Sequence, residues 1–197
     1  MVKKVLISLF VLILIIVCAT VAVSADDDQP DADEYVYTPY ASTRSETVFS
    51  IAGFAHADFS VEKIDWLYEN VGFFDDFSYD IIPGYVNSGI YVLWARDMGI
   101  IYGVGDNKFL PDQEITREAW AAMWVRYLIN VEDAHFDIAD TPDYEGYEGV
   151  SEWARPYVYI ALEQRLLGEL GDPQGPIYQE DRDGIIGVLW DFVSRRR

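Results

Sequence analysis

The sequence predicts a mainly α protein assembled from repeated helix–loop–helix units, and three observations carry the prediction. "YVLWARDMGII" (91–101) and "YVYIALEQRLL" (157–167) lie 66 residues apart, with Tyr, Val, Ala and two closing aliphatics in register. A shift of 65 then sets Pro111 on Pro176, Thr116 on Asp181, Arg117 on Arg182, Met123 on Val188 and Tyr127 on Phe192, so one deletion separates the two offsets. Finally, "STRSETVFSIAGFA" (42–55) matches "ITREAWAAMWVRYL" (115–128), with Thr43 on Thr116 and Arg44 on Arg117. The chain therefore holds about two and a half units and little strand.

The elements follow from caps and periodicity. Thr43 with Glu46 three residues on forms a capping box for the first helix. "DFSVEKIDWLYENVG" (58–72) reads as a helix through Val61, Ile64, Leu67 and Tyr68, as part of a repeat or as an insertion. A helix over 86–98 carries Ile90, Leu93, Trp94 and Ala95 and stops at Gly99. The loop "GVGDNKFLPD" follows. Gly103 and Gly105 supply unusual backbone angles, Asp106 bonds nearby N–H groups and Phe109 plugs into the core. Thr116 caps a helix ending near Ile129, with Ala119, Met123 and Tyr127 on one stripe. Ser151 is placed to cap the helix of the last unit, and Pro156 is tolerated only near its first turn.

The N-terminus reads differently. Lys3 and Lys4, an apolar run from Val5 to Val23 and small residues up to Ala25 describe a secretory signal peptide over 1–25. The run is also long enough to span a bilayer, so an uncleaved anchor is the alternative. A lipoprotein at Cys18 is disfavoured by Val17, where a small residue is wanted. Residues 26–40, opening "DDDQPDADE", are a solvated acidic linker. A net charge of −20, more negative still without Lys3 and Lys4, excludes nucleic-acid binding through a basic surface.

The chemistry is sparse. Beyond Ala25 there is no cysteine, and His56 and His135 stand in unrelated contexts. No nucleophile–base spacing, phosphate loop or HExxH occurs, so an enzyme is not expected, and no cofactor or metal is assigned. Calcium is the alternative for Asp106, Asn107, Asp112 and Glu114, but their spacing departs from the calcium-loop pattern. Of the six tryptophans, most sit at core spacing, and Trp153, at a helix start, is the one placed for exposure and sugar contact.

The segment "WARDMGIIYGVGDNKFLPDQEITREAWAAMWVRYL" (94–128) resembles a surface-layer homology (SLH) repeat of bacterial cell-envelope proteins. The shared pieces are a helix ending in Gly-Ile, a Gly-x-x-Asp-x-x-Phe-x-Pro loop, and Ile-Thr-Arg-Glu opening the second helix. The outer copies are weaker. On this resemblance residues 41–75 hold a partial first repeat, 76–131 the central one and 132–197 a degenerate last one.

The resemblance implies a pseudo-threefold helical bundle that binds secondary cell-wall polysaccharide, often pyruvylated, at the bacterial cell surface. It assigns the glycan to Arg117, then Arg44 and Arg182; Thr116, Gly105, Asp106 and Trp153 are the further candidates for glycan contact. Physically, a guanidinium next to free N–H groups at a helix start is an anion site. The structural alternative is that Arg117 pairs with Asp112 or Glu114 and pins its own loop. The competing function is a degenerate repeat protein that binds another surface protein and no glycan; a hydrolase of wall sugars ranks third.

Overall fold

The computed structural model describes residues 40–77, 88–136, 138 and 147–196. The chain divides into two units, Met1–Thr38 and Pro39–Arg197, and every described residue lies in the second. The expected signal peptide and nearly all of the acidic linker fall outside the described residues. Among those described, no helix is long and apolar enough to cross a membrane.

Six helices make up the described fold: α1 (Arg44–Phe54), α2 (Val61–Asn70), α3 (Ser88–Asp97), α4 (Arg117–Asn130), α5 (Arg155–Glu163) and α6 (Gln179–Ser194). Thr43 caps α1 as expected: its hydroxyl accepts from Glu46 N at 3.3 Å, and Glu46 accepts from Thr43 N at 2.9 Å. Thr116 caps α4, accepting from Ala119 N at 3.2 Å. Each such cap is worth about 1 kcal/mol. α2 is a real helix, capped by Ser60 and anchored through buried Leu67.

Ser151 does not cap α5. The N-cap is Ala154, with no side-chain bond, and Pro156 sits in the first turn. Ser151 lies one turn earlier, where its carbonyl accepts from Ala154 N at 2.8 Å.

The architecture is set at three residues that precede three helices. Ser42 N donates to Ile177 O at 2.8 Å, Ile177 N to Ile115 O at 3.2 Å, and Ile115 N to Ser42 O at 2.9 Å. This closed ring of backbone bonds relates α1, α4 and α6 cyclically, and all three residues are fully buried. Short antiparallel bridges, Ala41 with Tyr178, Thr43 with Glu114 and Thr116 with Pro176, flank it. Further along the same three helices, Phe54 of α1 packs edge-on against Trp124 and Tyr127 of α4 and Trp190 of α6, at 5.6, 5.8 and 5.7 Å. Trp120 and Trp124 complete the core.

The ring corrects the register of the last repeat. Ile177 takes the place of Ile115 and Tyr178 that of Thr116, so Gln179, not Arg182, corresponds to Arg117. Pro173 corresponds to Pro111, because Glu118 N bonds Pro173 O as Ser45 N bonds Pro111 O. The core agrees: Met123 and Tyr127 match Ile185 and Leu189, all buried, whereas Val188 and Phe192 are only partly so. The sequence match of Arg117 to Arg182 was drawn by the Asp-Arg dipeptide; what the backbone repeats is the Ile before the cap. The shift of 66 between α3 and α5 does hold. Ile100 and Ile101 both donate to Ala95 O, and Leu166 and Leu167 both donate to Ala161 O.

Candidate functional site

The first turns of α1, α4 and α6 are not free anion sites. Arg44 N donates to Gln113 O at 3.0 Å, Arg117 N to Gly175 O at 3.0 Å, and Gln179 N to Tyr40 O at 3.1 Å. Each helix start is thus satisfied by a carbonyl from the segment that precedes another of the three helices, and the side chain alone remains to meet a ligand.

Those side chains differ sharply. Arg44 is 7% exposed. Its Nε donates to Phe109 O at 2.7 Å, and its guanidinium lies over the Phe109 ring at 5.0 Å. Burial pulls its pKa down to about 10 while the Asp76 charge pulls it back up, so it remains a cation at neutral pH. Arg44 clamps α1 onto the central loop and offers little surface to a sugar.

The same loop is held from the other side by Asp76, which sequence reasoning did not single out. Its two carboxylate oxygens accept from Phe109 N and Leu110 N, both at 2.8 Å. Burial pushes its carboxyl up, but these N–H donors together with Lys108 outweigh that and hold it below its ordinary value. The N–H groups expected to bond Asp106 are therefore served by Asp76. Asp106 and Gly105 sit exposed at the loop tip with positive φ of 47° and 108°. Asn107 ties the loop to Phe73 O at 2.9 Å and Asp75 at 2.8 Å. Among the described residues no cluster of three metal-ligating side chains occurs.

Arg117 faces a different loop. Its Nη2 donates to Asp181 Oδ2 at 2.7 Å, with the guanidinium side chain partly open to solvent. The pair lies in a groove of about 730 Å³ between α4, α6 and the 165–175 loop, where Arg165, Glu169, Asp172 and Tyr178 also contribute. Asp181 additionally accepts from Tyr178 N at 3.4 Å, completing the third cap. Pairing with Asp112 or Glu114 is not what occurs: the partner comes from the last repeat, out of reach of local sequence reading. Arg165 was also missed. It occupies the left-handed position after α5, φ 59°, that Gly99 occupies after α3 at 64°.

The remaining assignments scatter. Arg182 lies within α6, 3.5 Å from Asp183. Thr116 is committed to its cap. Trp153 is 51% exposed but does not line the Arg117 groove; Arg126 of α4 sits against it instead, 5.8 Å from its ring. The seven sequence-assigned residues are therefore not gathered into one site, and among them only Arg117 sets a cation in the described groove.

Against known proteins, no curated protein matches the chain. The S-layer homology domain family matches residues 82–119, which run through α3, the glycine loop and the start of α4. Over these residues, through its central loop and helix start, the chain carries a segment of the S-layer homology domain family, whose domains are binding modules of the cell surface.

Proposed function

We propose that the protein, exported by residues 1–25, binds an anionic, pyruvylated secondary wall polysaccharide through Arg117. The observation that carries this reading is the partly exposed Arg117 guanidinium in the groove beside α6. A guanidinium presents paired N–H donors that match a carboxylate, such as that of a ketal-linked pyruvate. In a chain of net charge −20, such a cation gives an anionic polymer a local point of attraction.

Sedimentation with purified sacculi, before and after removal of the secondary polymer, tests the proposal. Retention on the complete wall only, weakened by Arg117→Ala, supports it. Equal retention on both preparations, or none on either, contradicts it.

One observation favours a protein-binding module instead: Asp181 already engages Arg117, and Gln179 replaces the arginine at the third helix start. On that reading the folded protein ignores both wall preparations and captures a surface protein.

A further inference from the structure

Arg126 stands nine residues after Arg117 on α4, two and a half turns on and so on the opposite side of the helix. Three aromatic rings surround it. Its guanidinium carbon is 4.4 Å from the Tyr157 centroid, 4.8 Å from Tyr102 and 5.8 Å from Trp153. Nη1 donates to Ile100 O at 3.5 Å, while Nε is buried with no hydrogen-bond partner. Among the described residues no carboxylate pairs with Arg126. The chain holds 34 acidic residues against 14 basic ones, so an acidic partner is not lacking for want of carboxylates.

The rings are fixed, yet open. Tyr102 is 67% exposed and Trp153 51%. Trp153 leaves a turn whose Ser151 gives Glu118 two bonds, 2.8 Å from N and 2.7 Å from Oγ. Glu118 itself is only 3% exposed, so this anchor is buried. The Tyr102 hydroxyl lies 3.4 Å from where a Cβ at Gly99 would stand, so any side chain there would press on it. Two repeats thus cooperate, the central one supplying Tyr102 and Arg126, the last one Trp153 and Tyr157.

Exposed aromatic faces pack against the C–H face of a sugar ring, burying apolar area while the hydroxyls stay wet. A guanidinium stripped of acidic partners binds a carboxylate with charge-assisted bonds. Nucleobases would also stack on such rings, but the chain's negative charge repels a phosphate backbone. We propose that Arg126, Tyr102, Trp153 and Tyr157 form a second carbohydrate subsite, separate from the Arg117 groove, that takes an acidic pyranose. The sugar face rests on Trp153 and Tyr102 and its carboxylate on Arg126.

The indole N–H resonance of Trp153, assigned by its loss in Trp153→Phe, reports on this site alone. The probe is a glucuronic-acid disaccharide, with the glucose counterpart as the uncharged arm. A saturable shift with the acidic sugar is expected, about tenfold tighter than with glucose, the factor that one charge-assisted bond supplies. Arg126→Met should remove that preference, and Arg117→Ala should leave it intact. No Trp153 shift with either sugar overturns the proposal, as does equal affinity for both. Loss of the shift in Arg117→Ala would overturn the separateness of the subsite. Because Tyr102 is exposed, Tyr102→Ala retains the fold, checked by near-ultraviolet circular dichroism, and should weaken both sugars. If it changes neither, the stacking role is wrong. Since the wall-binding proposal is read on sacculi and through Arg117, the two can fail independently.

Discussion

Arg117 Nη2 and Asp181 Oδ2, from two different repeats, meet at 2.7 Å in the lining of a groove where the Arg117 side chain is partly open to solvent. A ligand carboxylate must share that guanidinium with Asp181 or replace it. Removing the competitor should therefore help. Asp181→Asn is expected to raise retention on complete sacculi several-fold at low salt, with the advantage shrinking as added salt screens the exposed charges. Unchanged or weaker retention by a folded variant would show that Asp181 does not compete.

Arg44 predicts the opposite kind of effect. Its guanidinium is buried on Phe109 and bonded to the Phe109 carbonyl, so Arg44→Ala removes a charge-assisted bond and leaves that carbonyl without its donor. A loss of about 2–3 kcal/mol is expected in urea denaturation. Binding by the folded fraction should be nearly unchanged, because Arg44 shows little surface. A large binding defect without a stability defect would move Arg44 into the site.

The loop glycines separate steric from conformational demands. At Gly103, φ is 89°, and a Cβ would fall 2.6 Å from Lys108 O and 2.8 Å from Phe74 Cε1. Gly105 has φ of 108° but nothing within 4 Å. Gly103→Ala should thus cost clearly more than the ~1 kcal/mol expected for Gly105→Ala from backbone conformation alone. Thermal unfolding of the two variants measures the difference.

Acid should loosen the same loop. The Asp76 carboxyl is held below its ordinary value in the folded chain, so it contributes stability above its unfolded pKa of about 3.9. That contribution is lost as pH falls through the lower folded value. Asp76→Asn should therefore destabilise at neutral pH and flatten the acid limb of stability against pH. An acid limb identical to that of the parent would show that Asp76 carries none of it.

Helix positions were largely legible, because Thr43 with Glu46, Thr116 and Gly99 mark their ends with local chemistry. The bundle was legible as a repeat. The last unit's register was not: Asp181-Arg182 imitates Thr-Arg, whereas the backbone ring selects Ile177, and only long-range bonds reveal which match is real. The same limit applies to the sites. Arg117 is visible as an arginine at a helix start, but Asp181 reaches it from 64 residues away, and Arg126 gains its rings from two separate segments, at Tyr102 and at 153–157. Burial of Arg44 was equally hidden, since Arg44 and Arg117 follow the same Thr-Arg step at a helix start.

The central claim is that wall attachment runs through Arg117. The most direct measurement is co-sedimentation of the parent protein, Arg117→Ala and Arg182→Ala with sacculi that retain their secondary polymer. The account predicts that Arg117→Ala loses most of the retention while Arg182→Ala, altered within α6 beside Asp183, keeps it. Full retention by a folded Arg117→Ala would contradict the account.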